Sequence, residues 1–178
     1  MPDRLATAEL AVSLGTIAFQ LAASAFFSAA ETALTAASRP RIHQLAQDGD
    51  PRAGLVKALQ DRREHAIAAL VLGNTLAVIG ASAIATTILI AVFQDYGVAA
   101  ATLGMTLLVA IFAQVLPKTY AITHADAVAL SLARSIRVAV AVLAPAAVAV
   151  QAIVRFLLML FGGAGASAAP NGASDNEE

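Results

Sequence analysis

The sequence predicts an all-α integral membrane protein, with three transmembrane helices and a set of juxtamembrane amphipathic helices. Three observations carry that prediction. Of 178 residues, 59% are hydrophobic and 13% charged, with a mean hydropathy of +0.76, more apolar surface than a soluble domain of this size can bury. Three runs free of Asp, Glu, Lys and Arg reach the roughly 20 residues needed to cross the hydrocarbon core. Finally, the charge-rich segment between the first two runs has helical periodicity.

Taken in chain order, the first span is expected at about 8–36. Its start resembles a secretory signal, with Arg4, an apolar run and Ala23-Ser24-Ala25. An uncleaved span is the better reading, because the basic flank is thin and cleavage would sever the polar stripe described below. The segment 39–64 follows as two short helices. Ile42, Leu45 and Ala46, then Leu55, Val56 and Leu59, recur at helical spacing opposite charged positions. Asp48-Gly49-Asp50-Pro51 supplies the turn between them. Such helices suit either the membrane surface or a small solvated hairpin.

The second and third spans are expected at 66–92 and 97–117, joined by the short Gln94-Asp95-Tyr96-Gly97 connection as an antiparallel hairpin. The stretch 138–162 is apolar, yet Pro145 interrupts it and only 17 uncharged residues separate Arg137 from Arg155. Proline bends or ends a helix, so a broken embedded or interfacial pair within juxtamembrane segment 122–161 is expected. One domain covers 1–162, and the Gly-, Ala- and Ser-rich tail 163–178 is expected to be disordered.

Orientation follows from Lys and Arg. Arg39, Arg41, Arg52, Lys57, Arg62 and Arg63 crowd 38–65, whereas the Asp95 connection has none. The positive-inside rule therefore puts 38–65 and the C-terminal region in the cytoplasm and the N-terminus outside, in a multi-pass plasma (inner) membrane protein. A net charge of −1 gives no reason to expect nucleic acid. The absence of cysteine excludes disulfides and thiolate metal sites. His43, His65 and His124 fall at surface positions, so no enzymatic site is expected.

The polar residues within the spans are the candidate working parts, since such groups normally face a bundle interior or a solvated cavity. Ser13, Gln20, Ser24, Ser28 and Glu31 follow at steps of 7, 4, 4 and 3. At about 100° per residue they share one stripe of the first helix. Ser13 and Gln20 suit helix packing. Glu31, near the cytoplasmic end, suits capping or pairing with Arg39 as well as a charge at the site. Asn74 brings an amide oxygen to the second span, beside the small residues Gly73, Ala77, Gly80 and Ala81. On the third span Pro117 lacks an N–H, which deprives the Ala113 carbonyl of its helical donor, and Gln114 adds a side-chain oxygen. Hydroxyl, amide and carbonyl oxygens suit Na⁺, Mg²⁺ or Ca²⁺ rather than zinc or copper.

Phe26-Phe27-Ser28-Ala29-Ala30-Glu31-Thr32-Ala33-Leu34, Leu72-Gly73-Asn74-Thr75-Leu76 and Val115-Leu116-Pro117-Lys118 together resemble the transmembrane domain of the CNNM/CorC magnesium transporters. Asp48-Gly49-Asp50-Pro51-Arg52-Ala53 resembles the family's cytoplasmic linker. The resemblance runs from about residue 8 to 160. It implies a homodimer in membrane lipid, three spans per chain, a juxtamembrane belt, and Mg²⁺ export coupled to Na⁺ entry. It places the family's ion site on Ser24, Ser28, Asn74, the backbone near Ala113, Gln114 and Pro117. Two departures bear on function. Gln114 replaces the glutamate of the family's Gly-Glu-x-x-Pro pattern, which removes a charge from the site, and Val78 stands where many relatives have a second Asn. The family's nucleotide-binding CBS pair is not among these residues, so its ATP–Mg²⁺ regulation is not carried over. The alternative is a non-transporting membrane partner that modulates a full-length CNNM/CorC relative.

Overall fold

A computed structural model describes residues 2–93 and 97–162. Every element among them is helical: α1 (Pro2–Ala36), α2 (Arg39–Gln47), α3 (Pro51–Asp61), α4 (Arg63–Phe93), α5 (Gly97–Leu108), a π-helical segment (Val109–Val115), α6 (Leu116–Thr123) and α7 (Ala125–Gly162). Four stretches are long and apolar enough to cross a membrane: Glu9–Ala36, Arg63–Ala91, Thr102–Thr123 and Ala125–Met159. The connection 94–96 and the tail 163–178 lie outside the described residues.

The α2–α3 pair forms where the turn chemistry requires it. Gly49 takes φ +91°, a left-handed conformation that an L side chain resists. The Asp50 side chain then accepts the Arg52 N–H at 2.7 Å, and Pro51 fills the first turn of α3, where its missing N–H costs nothing. Ile42, Val56 and Leu59 are buried in one core with Leu34 of α1, Leu70 of α4 and Ile136 of α7. The apolar face of the pair is thus covered by protein. Gln60 Nε2 also donates to the Ala37 carbonyl at 3.3 Å, satisfying an orphan acceptor just past the end of α1.

Helix α1 is the central post, in contact with α4, α6, α7 and the π segment. It runs antiparallel to α4, with Gln20 against Gly80, Ser24 against Asn74 and Phe27 against Gly73. Small residues make the approach close, as is usual where lipid supplies no hydrophobic drive to associate. A Cβ on Gly73 would lie 2.6 Å from the Phe27 ring and 2.8 Å from Leu143 Cδ1. Gly73 therefore seats one side chain from α1 and one from α7.

The expectation of a broken helix pair over 138–162 is corrected: α7 is one helix of 38 residues that passes through Pro145. Neighbouring packing holds it on both sides of the proline, with Leu143 against Gly73 and Ala147 buried. Its attachments are informative. Asp126, at the start, accepts the Ser38 N–H at 2.8 Å and pairs with Arg41 at 3.5 Å. Gln151, far along it, donates to the Glu64 carbonyl at 3.3 Å. Ser38 and Glu64 both lie at the α2–α3 end of the bundle, so α7 is fastened twice at that end.

Candidate functional site

The polar stripe of α1 faces protein. Ser24 and Ser28 are both fully buried. Ser24 Oγ donates to Asn74 Oδ1 at 2.5 Å, joining the first and second spans. Ser28 Oγ is buried and has no hydrogen-bond partner among the described residues. Its hydroxyl does not fold back onto its own helix, whereas Thr32 does so by donating to the Ser28 carbonyl at 2.9 Å. Gln20 behaves as a packing residue, its Oε1 buried where a Cβ on Gly80 would come within 2.6 Å. Gly80 thus directs an α-hydrogen at that oxygen, a weak C–H···O contact common between helices.

The pairing considered for Glu31 is corrected. Its carboxylate lies 3.8 Å from Lys118 Nζ on α6, and Arg39 is not its partner. This contact sets a register. Ile17 and Leu21 pack with Val109 and Ala113, while Ala30 and Ala33 share a core with Ala121, so α1 and α5–α6 point the same way. Ser28, three residues before Glu31, is therefore level with the end of the π segment, three to four residues before Lys118.

The π segment explains what Pro117 does. Leu116 N–H donates to the Ile111 carbonyl, five residues back instead of four. Pro117 then contributes no donor. The Phe112 carbonyl consequently has neither its i+4 nor its i+5 backbone donor, and Ala113 loses its i+4 donor, as its place before Pro117 implies. Both Ala113 and Pro117 are buried. Gln114 is half-buried and lines a cleft of ≈ 490 Å³ between α4, α5 and the π segment.

The structure therefore joins Ser24 to Asn74 and sets Ser28 level with Gln114, with Ala113 and Pro117 buried around that level. No hydrogen bond links Gln114 to Ser24, Ser28 or Asn74 among the described residues. No group of three or more His, Asp or Glu exists among them either. The side-chain oxygens at this level are neutral, and the Glu31 charge is already partnered by Lys118. Sequence reasoning missed the Phe112 carbonyl, which depends on the π register, and Lys118. It also missed the hydroxyls of Ser82, Thr86, Thr102 and Thr106 in the cleft. Their spacing of four on each of two adjacent spans was the available signal.

Comparison with known proteins agrees with this architecture. The family described as "cyclin M transmembrane N-terminal domain" matches residues 15–178. The UPF0053 inner membrane protein YfjD of Escherichia coli is 33% identical over 139 residues, covering 78% of this chain and 32% of that protein. A UPF0053 protein of Haemophilus influenzae is 35% identical over 108 residues, covering 61% of this chain and 26% of its own length. A chloroplastic DUF21 domain-containing protein of Arabidopsis thaliana is 32% identical over 120 residues, 67% of this chain and 18% of that one. The chain thus spans about a third or less of the length of these relatives. With residues 15–178 matched by that family's model, the chain belongs to the cyclin M (CNNM) transmembrane-domain family.

Proposed function

We propose that this chain carries Mg²⁺ across the membrane, exporting it in exchange for entering Na⁺, through an oxygen-lined site between α1, α4 and the π segment. The observation that carries the reading is Ser28: a buried hydroxyl with no partner among the described residues, level with a π segment whose Phe112 carbonyl also lacks a helical donor. Unsatisfied polar groups at membrane depth are costly and are kept where they meet an ion, water or a moving partner. Oxygen donors of this kind favour hard cations, and Mg²⁺ retains several waters, so a sparse set of protein oxygens suffices.

The Ser24–Asn74 bond gives the site two states. In one, Ser24 Oγ donates a hydrogen bond to Asn74 Oδ1. When a cation arrives the hydroxyl rotates, and both oxygens turn lone pairs toward the ion. The family resemblance supports the choice of Mg²⁺, the coupling to Na⁺ and a homodimer, which would cover apolar side chains exposed on α5 and the π segment such as Leu103, Leu107 and Phe112. In proteoliposomes loaded with Mg²⁺, the purified chain should release it on addition of external Na⁺. Asn74→Ala should slow release about tenfold or more, the cost of one polar ligand. Equal release by parent and variant would refute the site.

A second reading rests on Gln114, where the family pattern has Glu. The missing carboxylate fits a chain that pairs with a longer relative and modulates it. Under that reading the parent is inactive alone and Gln114→Glu gains Mg²⁺ flux; robust flux from the parent rejects it.

A further inference from the structure

We infer that the cleft between α4, α5 and the π segment is a water-filled vestibule, which admits hydrated cations from the membrane face opposite α2 and α3. Its cargo rests on the transport reading above; its water does not.

The lining is ordered. Val78, Ser82 and Thr86 follow at steps of four on α4, and Thr102, Thr106 and Ala110 at steps of four on α5 and the π segment. The cluster that joins Ala81 and Ala85 to Met105 and Val109 shows the two helices side by side. Running in opposite directions, they set Thr86 across from Thr102, Ser82 across from Thr106 and Val78 across from Ala110. Gln114 lies one further step inward. From Thr102 to Gln114 the cleft follows 12 residues of helix, a rise of roughly 18 Å and more than half of the ~30 Å hydrocarbon core.

Four hydroxyls and an amide at this depth have to be satisfied. Thr86 donates to the Ser82 carbonyl and Thr102 to the Val98 carbonyl, each at 2.8 Å, leaving both hydroxyl oxygens free to accept. Ser82 and Thr106 hydroxyls make no hydrogen bond within the protein among the described residues. Lipid chains offer them nothing. A space of ≈ 490 Å³ holds roughly sixteen waters at about 30 Å³ each. No charged side chain lines it among the described residues, so it holds a cation weakly enough to pass it on to Gln114.

The chain contains no cysteine, which makes the test direct. Single substitutions Ser82→Cys, Thr106→Cys and Ala110→Cys would be exposed in oriented membranes to a charged, membrane-impermeant thiol reagent. Leu76→Cys and Ile79→Cys, at exposed apolar positions on α4, serve as lipid-facing controls. Expected is labelling at the three cleft positions roughly ten times faster than at the controls, because a thiol in hydrocarbon stays protonated and unreactive. The reagent should work from the face opposite α2 and α3. Labelling of Ser82→Cys and Thr106→Cys at the control rate would overturn the inference. So would a disulfide between two Thr106→Cys copies without labelling, which would show a second chain filling the cleft. The two readings fail separately: labelling without Mg²⁺ flux from the parent keeps the vestibule and removes transport, and flux without labelling does the reverse.

Discussion

Ser28 allows a direct separation of stability from function. Removing a buried hydroxyl with no partner among the described residues costs no hydrogen bond between them, and burying an unpaired group is itself unfavourable by about 1–3 kcal/mol. Ser28→Ala should therefore leave the thermal midpoint of the purified protein unchanged or raised while Mg²⁺ flux falls. A drop in both would mark Ser28 as a structural residue. Gly73 should behave in the opposite way. A Cβ there meets the Phe27 ring at 2.6 Å and Leu143 Cδ1 at 2.8 Å, so side chains of two neighbouring helices would have to shift together. Gly73→Val should cost about 1–3 kcal/mol, read as a lowered midpoint in detergent. At this scale a polar atom placed in hydrocarbon was the useful signal, although the cleft hydroxyls of Ser82, Thr86, Thr102 and Thr106 escaped it. Ser24, Ser28 and Asn74 were found by that criterion, and two of them prove to be bonded partners. For Glu31 the sequence suggested a pairing with nearby Arg39, whereas the partner, Lys118, is 87 positions away and is brought near only by packing.

Among the elements, the π segment is the one with a mechanism. An extra residue is accommodated in the turn before Pro117, and carbonyls are freed where a straight helix would consume them. Pro117→Ala restores a donor N–H. The segment should then relax toward α-helical register and capture a carbonyl, with Mg²⁺ flux lost. Far-UV circular dichroism should stay unchanged and the thermal midpoint equal or higher; retained flux would show that the freed carbonyls are dispensable. Pro117 pointed to a freed carbonyl at Ala113, but the neighbouring Phe112 emerges only from the fold, because periodicity does not distinguish a π turn from an α turn. The α2–α3 pair was more legible. Gly49, Asp50 and Pro51 each impose a local geometry whatever surrounds them, and the structure places its turn there. What covers the apolar face of that pair was not written locally. It depends on α7, whose continuity through Pro145 the proline rule argued against. Packing on both sides of Pro145 outweighed the local preference of one residue.

For the whole molecule, the question is how four long apolar helices share one membrane. Length and composition allow α7 to cross, as they allow the other three. Its attachments favour a different course, because Asp126 is tied to Ser38 and Gln151 to Glu64, both at the α2–α3 end. A reporter fused after Gly162 should therefore lie on the same side as one inserted at Gly49, and opposite one fused before Pro2. Protease protection in sealed vesicles checks this, and a Gly162 reporter on the N-terminal side would make α7 a fourth crossing. The overall class was legible from composition alone, since no soluble fold of this length hides so much apolar surface. The path of α7 was not, because a tethered helix and a spanning helix have the same hydropathy.

That double fastening has a mechanical consequence. Because one rigid rod is tied to the lower ends of both α1 and α4, those ends cannot separate without tearing an anchorage. Any rocking of the two helices must hinge there, and their far ends are left to swing. Conformational freedom is thereby concentrated at the half of the bundle remote from the basic cluster.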